Sequence, residues 1–195
     1  MRNAPSTFLV LLVLAFAVGA HAAEAPAAMP LRQVWTGILE PPPDNQKVGI
    51  GDIEVKIWAL SSAREIQTLV EELRGGGQDG LRQAIFRLEQ KGWVRIGKAA
   101  AASIGLVRVV DLPDGKRRLR LVSAFPARVL DWSDPAGSRK HPFAFLELTA
   151  DRDGTAEGRM IAAASISFVE NGIRVDSAGA PVLQIFDVAT DSPPR

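Results

Sequence analysis

The residues able to do chemistry in this chain are few, and their spacing narrows what they can do. His141 is one of two histidines, and the other, His21, falls in an N-terminal leader. A nucleophile–histidine–acid triad would need His141 as its base, with Ser133 or Ser138 beside it and an aspartate to orient the ring. Ser138 lacks the Gly-x-Ser-x-Gly setting of a nucleophile elbow, and His141 abuts Pro142 where a strand is expected to begin. One imidazole and no cysteine cannot build a multi-histidine or thiolate metal site. Asp151-x-Asp153-Gly154 with Glu157 has the outline of a calcium-loop fragment. Its third acid is missing, however, and Glu157 follows the glycine too closely, so the segment reads as an Asp/Gly-rich turn. Asp131 and Asp134 are paired acids of the kind that do general acid/base work, but nothing in their spacing makes them converge. No catalytic residue, metal ligand or cofactor site is assigned.

Binding chemistry has more to start from. Lys116-Arg117-Arg118-x-Arg120 is the densest basic cluster. On a strand, Arg118 and Arg120 project to one side and Leu119 and Leu121 to the other. Such a face could meet an anionic polymer, a lipid headgroup or a glycan. No aromatic residue interleaves to stack on bases, so nucleic acid is not expected. Trp132, in the acidic loop Asp131-Trp132-Ser133-Asp134, could line a ligand mouth or stack on a sugar. Trp132, His141, Arg118 and Arg120 are therefore the candidate ligand-binding residues. Gly75-Gly76-Gly77 follows a helix rather than a strand and lacks a Gly-Lys-Ser/Thr sequel, so it reads as a helix stop, not a phosphate loop.

The elements that must position these residues begin with a leader. Arg2 is followed by an unbroken apolar run from Phe8 to Val18 and then by Ala20-x-Ala22. Charged start, short apolar middle and small-residue exit form the pattern of a secretory signal peptide over 1–22. The run is too short to span a bilayer, which takes roughly 20 residues. Cleavage would remove Arg2 and no acid, so the 23 Lys+Arg and 22 Asp+Glu of the whole chain become balanced. A neutral chain has no general attraction to nucleic acid or anionic lipid. Without cysteine, stability must come from packing, and the remaining length suffices for one core.

Residues 23–30 read as a flexible lead-in, 31–190 as one domain and 191–195 as a loose tail. Ile53, Val55, Ile57 and Ala59 alternate with polar neighbours at the period of a strand. Ser62-x-x-Glu65 is a capping box, followed by Ile66, Leu69, Val70 and Leu73 at helical spacing. Leu81, Ala84, Ile85 and Leu88 repeat that spacing after the glycines, which predicts a two-helix hairpin over 62–91. Pro113-Asp114-Gly115 and Asp151-Arg152-Asp153-Gly154 mark β-hairpin turns. The sum is a mainly β, α+β domain: about eight antiparallel strands in a curved sheet or small barrel, with the helical hairpin inserted after the second.

Over roughly residues 53–166 the chain resembles a family of small exported bacterial proteins with no established activity. The resemblance rests on Val55-Lys56-Ile57-Trp58, Leu112-Pro113-Asp114-Gly115, Pro142-Phe143, Glu147-Leu148, Asp153-Gly154 and Glu157-Gly158-Arg159-Met160. It implies export and a single domain, and it carries no catalytic residue over. The expectation is a periplasmic or secreted, non-enzymatic binding or envelope-associated module. Its partner would be an apolar small ligand held inside the sheet, with the hairpin across the opening. The alternatives are an envelope protein docked on the hairpin or basic face, and a hydrolase working through carboxylates.

Overall fold

The structure is a computed structural model that describes residues 33–40, 51–124, 140–169, 172–177, 180 and 182–190. The leader, the lead-in, the tail, Trp132, Ser133, Ser138 and the Asp131/Asp134 pair lie outside the described residues.

Ten strands and one helical element are present among the described residues. They run β1 (Gln33–Glu40), β2 (Gly51–Ile57), α1 (Ala63–Arg87), β3 (Gly92–Ile96), β4 (Ala102–Ile104), β5 (Leu106–Asp111) and β6 (Arg117–Ser123). β7 (Phe143–Ala150), β8 (Thr155–Val169), β9 (Gly172–Asp176) and β10 (Val182–Thr190) follow. Nine of them form a continuous antiparallel path, β4-β3-β2-β1-β10-β8-β7-β6-β5, and β9 pairs with β8 off that path. The count exceeds the expected eight because Gly92–Ile96 is itself a strand. Gly105 also separates β4 from β5, its N–H turning to the Val122 carbonyl at 3.2 Å.

The two ends of the path, β4 and β5, are consecutive in the chain, so the sheet curls into a nearly closed, barrel-like form. Ser61 helps close the seam. Its N–H donates to the Val107 carbonyl at 2.9 Å, and its hydroxyl accepts from the Val107 N–H at 3.1 Å. These bonds satisfy backbone groups that an edge strand would otherwise leave open.

Strand alternation sends side chains to two separate apolar clusters. Val107, Leu121, Leu146, Met160 and Leu183 pack inward with Trp35, filling the barrel with the protein's own side chains. Their neighbours Leu106, Val122, Phe145 and Ile161 face outward and meet Leu69, Leu81 and Ile85 of α1. The helix therefore covers the Leu106–Val122–Phe145–Ile161 row on the outside of β5–β8 and does not sit across a barrel opening.

The predicted capping box is present: the Ser62 hydroxyl accepts from the Glu65 N–H at 3.2 Å, and the Glu65 carboxylate accepts from the Ser62 N–H at 2.7 Å. The two predicted helical stretches form a single helical element, 63–87, interrupted at Gly77, where φ is 60° and ψ is −151°. Gly75 and Gly76 keep helical backbone and Gly77 is the break, across which Gly80 comes back against Glu72, so closely that a Cβ there would stand 2.7 Å from the Glu72 carbonyl oxygen. The bend has a geometric reason. Leu69 and Leu81 are twelve residues apart, which in a straight helix places them roughly 120° apart around the axis. The kink returns both to the sheet. It is held by Gln78, whose side-chain amide donates to the Ile166 carbonyl at 2.7 Å and accepts from the Ile166 N–H at 2.9 Å.

A Cβ at Gly75 or Gly76 would meet nothing within 4 Å, whereas the Gly77 backbone lies in a region that only glycine adopts readily. Gly75→Ala and Gly76→Ala should each stabilise the fold by about 0.5–1 kcal/mol in urea denaturation. Gly77→Ala should destabilise it by roughly 1–3 kcal/mol. A loss of stability at 75 or 76 would show that the glycines serve a second conformation of the kink.

Candidate functional site

Antiparallel register builds one polar row across the outside of the barrel. Arg108 of β5 stands opposite Arg120 of β6, Arg120 opposite Glu147 of β7, and Glu147 opposite Arg159 of β8. Gln184 of β10 continues the row beside Arg159. It lies one pleat from the apolar row that α1 covers, so these side chains are clear of the helix yet near its edge. The next outward row brings Arg118, Thr149 and Glu157 side by side.

Glu147, only 9 % exposed, is the hub. Its Oε2 accepts from Arg120 Nε at 2.7 Å, and its Oε1 accepts from Arg159 Nε at 3.2 Å. A carboxylate so buried requires charged donors, and here each oxygen takes one arginine. Arg120 also reaches the Ile173 carbonyl of β9 at 3.4 Å, which ties the β8–β9 hairpin to the sheet. Beside the hub, Glu147, Thr149, Glu157, Arg159, Gln184 and Phe186 line a shallow depression of about 250 Å³. A bulge in β10 shapes its wall. Asp187, at φ 51°, is the extra residue, and the register shift lets Phe186 point outward while Val188 returns to the core. β1 makes room through Gly37, where a Cβ would stand 2.9 Å from the Phe186 carbonyl oxygen.

The expected opposition on β6 is present. Leu119 and Leu121 are buried inward, while Arg118 and Arg120 are half-buried outward. Arg108 and Arg118 enter no ion pair among the described residues. The Nε of Arg118 is buried with no hydrogen-bond partner among the described residues. A buried unsatisfied donor costs about 1–3 kcal/mol. Directly opposite like charges, as at Arg108 and Arg120, are also unfavourable in a sheet. On this face four guanidiniums, Arg108, Arg118, Arg120 and Arg159, stand against two carboxylates, Glu147 and Glu157. The surplus is cationic, and it arises on a chain whose overall charge is close to zero.

His141 is not part of this site. It is half-buried just ahead of β7, six residues from Glu147, which is about 20 Å along an extended chain. Phe143 and Phe145, under the helix, lie between the two. The acidic turn Asp151–Gly154 spends its carboxylates locally. Asp153 accepts from the Thr155 hydroxyl at 2.7 Å and the Thr155 N–H at 2.9 Å, and these bonds hold its pKa below the ordinary value. Asp151 pairs with Lys116 at 2.9 Å. Nothing in the sequence marks Arg108, Glu147 and Arg159 as site residues. Each sits at a polar position of an alternating strand, but only the register of β6 on β7 brings them to Arg120.

Among the described residues no helix is long and apolar enough to cross a membrane. No protein-family model matches the chain, and neither does any curated protein or any solved structure.

Proposed function

We propose that the protein is an exported, non-enzymatic binding module of the cell envelope that engages its partner through the outer face of β5–β8. The observation that carries this reading is Arg118: half-buried, without an ion-pair partner among the described residues, and set beside Arg108 and Arg120. Charge left uncompensated on a folded surface is unfavourable for the free protein and becomes useful when a partner supplies the counter-charge. The interior carrier is the weaker version, because inward side chains already occupy the barrel. Export rests on the tripartite leader at 1–22.

Photocrosslinking in an exporting host tests this. A photoreactive residue at position 149, on the outward arginine face, should yield a discrete adduct in the exported fraction. The same residue at position 56, on the outward side of β2, should yield none. The adduct should disappear when Arg118 and Arg120 are both changed to Gln. Adducts only from position 56, or an adduct indifferent to the arginine changes, would sink the proposal. An apolar metabolite retained by the exported protein in native mass spectrometry would replace it with the carrier.

A further inference from the structure

We infer that the outer face carries a binding site for a phosphate group, held by Arg108, Arg118 and Arg120. The inference rests on the outer face being the working surface, and it names the chemistry that surface takes. Arg108 and Arg120 are direct cross-strand partners. Arg118 is two residues from Arg120 on the same side of β6 and diagonal to Arg108. Opposite and diagonal positions lie roughly 5 and 7 Å apart at Cβ, close enough for three long side chains to converge on one group. Arg120 is already oriented, by Glu147 at 2.7 Å and the Ile173 carbonyl at 3.4 Å. Arg108 and Arg118 are not committed to any carboxylate among the described residues.

The number and geometry of these donors select the ligand. The two carboxylates of the face offset two of its four guanidiniums, so two positive charges remain. A monoanionic carboxylate presents two oxygens and is satisfied by a single guanidinium fork. A phosphate dianion matches the remaining charge and offers oxygens to several forks at once. The cluster spans only two neighbouring strands, which fits one phosphate group better than a polymer backbone. Two sources share this chemistry: a soluble phosphate or phosphomonoester, and the headgroup of an anionic phospholipid.

The full exported chain should be titrated with inorganic phosphate by calorimetry. It should also be sedimented with phosphatidylcholine vesicles with and without phosphatidic acid. Wild type should bind phosphate, and Arg108→Gln and Arg118→Gln should each weaken binding at least tenfold. Arg95→Gln, which alters a paired arginine beside Glu54 on β2, should leave binding unchanged. Thermal melting separates a ligand site from a structural role. Without phosphate, R108Q should melt at or above the wild-type temperature, because it removes a like-charge neighbour. Phosphate should raise the melting temperature of wild type and not of R108Q. A lower melting temperature for R108Q, or equal phosphate binding by R118Q, would overturn the inference.

Binding to phosphatidic acid vesicles that R118Q abolishes would assign a lipid headgroup as the source. Phosphate binding without vesicle binding would assign a soluble ligand. If wild type binds no phosphate but arginine-dependent crosslinking at position 149 persists, the phosphate assignment fails and the binding face stands. If both fail, the functional reading of this face falls too.

Discussion

Changing Glu65 to Gln is expected to destabilise the protein by about 1–3 kcal/mol, between the value of an exposed ion pair and that of a fully buried one, because the carboxylate is about a quarter exposed. Lys91 is the reason. Its side chain is only 6 % exposed, and its Nζ lies 2.8 Å from Glu65 Oε1. Backbone bonds pin the residue on both sides: its N–H donates to the Ile104 carbonyl, and its carbonyl accepts from the N–H groups of Trp58 and Ala59. The backbone of Lys91 is therefore fixed at the junction of β2, β3 and β4, and its ammonium lies against Glu65. Gln keeps the capping box, since a neutral amide accepts from the N-cap N–H as a carboxylate does. What it removes is the charge opposite Lys91. The double change Glu65→Gln with Lys91→Met should recover most of the loss, because no charge is then left buried alone.

The same pair sets a pH dependence. Burial works against ionisation of Glu65, but the Lys91 ammonium and the Ser62 N–H and hydroxyl outweigh it, and the pKa falls below the ordinary value of 4.5. A carboxyl with a lowered folded pKa contributes stability that is fully present above its unfolded pKa. That contribution is lost as pH falls through the folded value. Urea midpoints of wild type should therefore drop between about pH 5 and pH 3, and E65Q should lack that component. Equal midpoints for E65Q and wild type at pH 7 would show that the pair contributes nothing.

Trp35 carries the second large effect. It is 1 % exposed in the interior cluster, paired across strands with Val55 and Thr190, and its Nε1 has no hydrogen-bond partner. Trp35→Ala should cost about 3–5 kcal/mol through lost burial and the cavity left behind. Trp35→Phe should behave differently. It keeps most of the ring contacts and removes a buried donor whose isolation itself costs about 1–3 kcal/mol. Its net change should fall within about 1 kcal/mol of wild type in urea denaturation. A loss in W35F as large as that in W35A would mean that the indole N–H is bonded after all.

The glycine run shows where local signals ran out. Periodicity on either side of Gly75–Gly77 marks two apolar stripes correctly, and Leu69, Leu81 and Ile85 are all buried. How the chain turns between the two stripes depends on what they pack against. The sheet and the clamp of Gln78 on Ile166 fix the turn at Gly77. β4 is a different case. Three residues do not display a period, and their strand state comes from pairing with β3.

The arginine face divides along the same line. Alternation in Arg118-Leu119-Arg120-Leu121 determines by itself that the basic side chains leave the core, since a strand's period of two admits no other arrangement once the leucines are buried. The turns at Pro113-Asp114-Gly115 and Asp151–Gly154 likewise determine that β5 pairs with β6 and β7 with β8. The contact of one hairpin with the other is not local. It joins β6 to β7 across a long connection, and sliding that register would leave every local pattern intact. Only the packing of the nearly closed barrel places Arg120 against Glu147 and leaves Arg108 and Arg118 without an anion among the described residues. A register is a property of two surfaces meeting, and neither strand carries it alone.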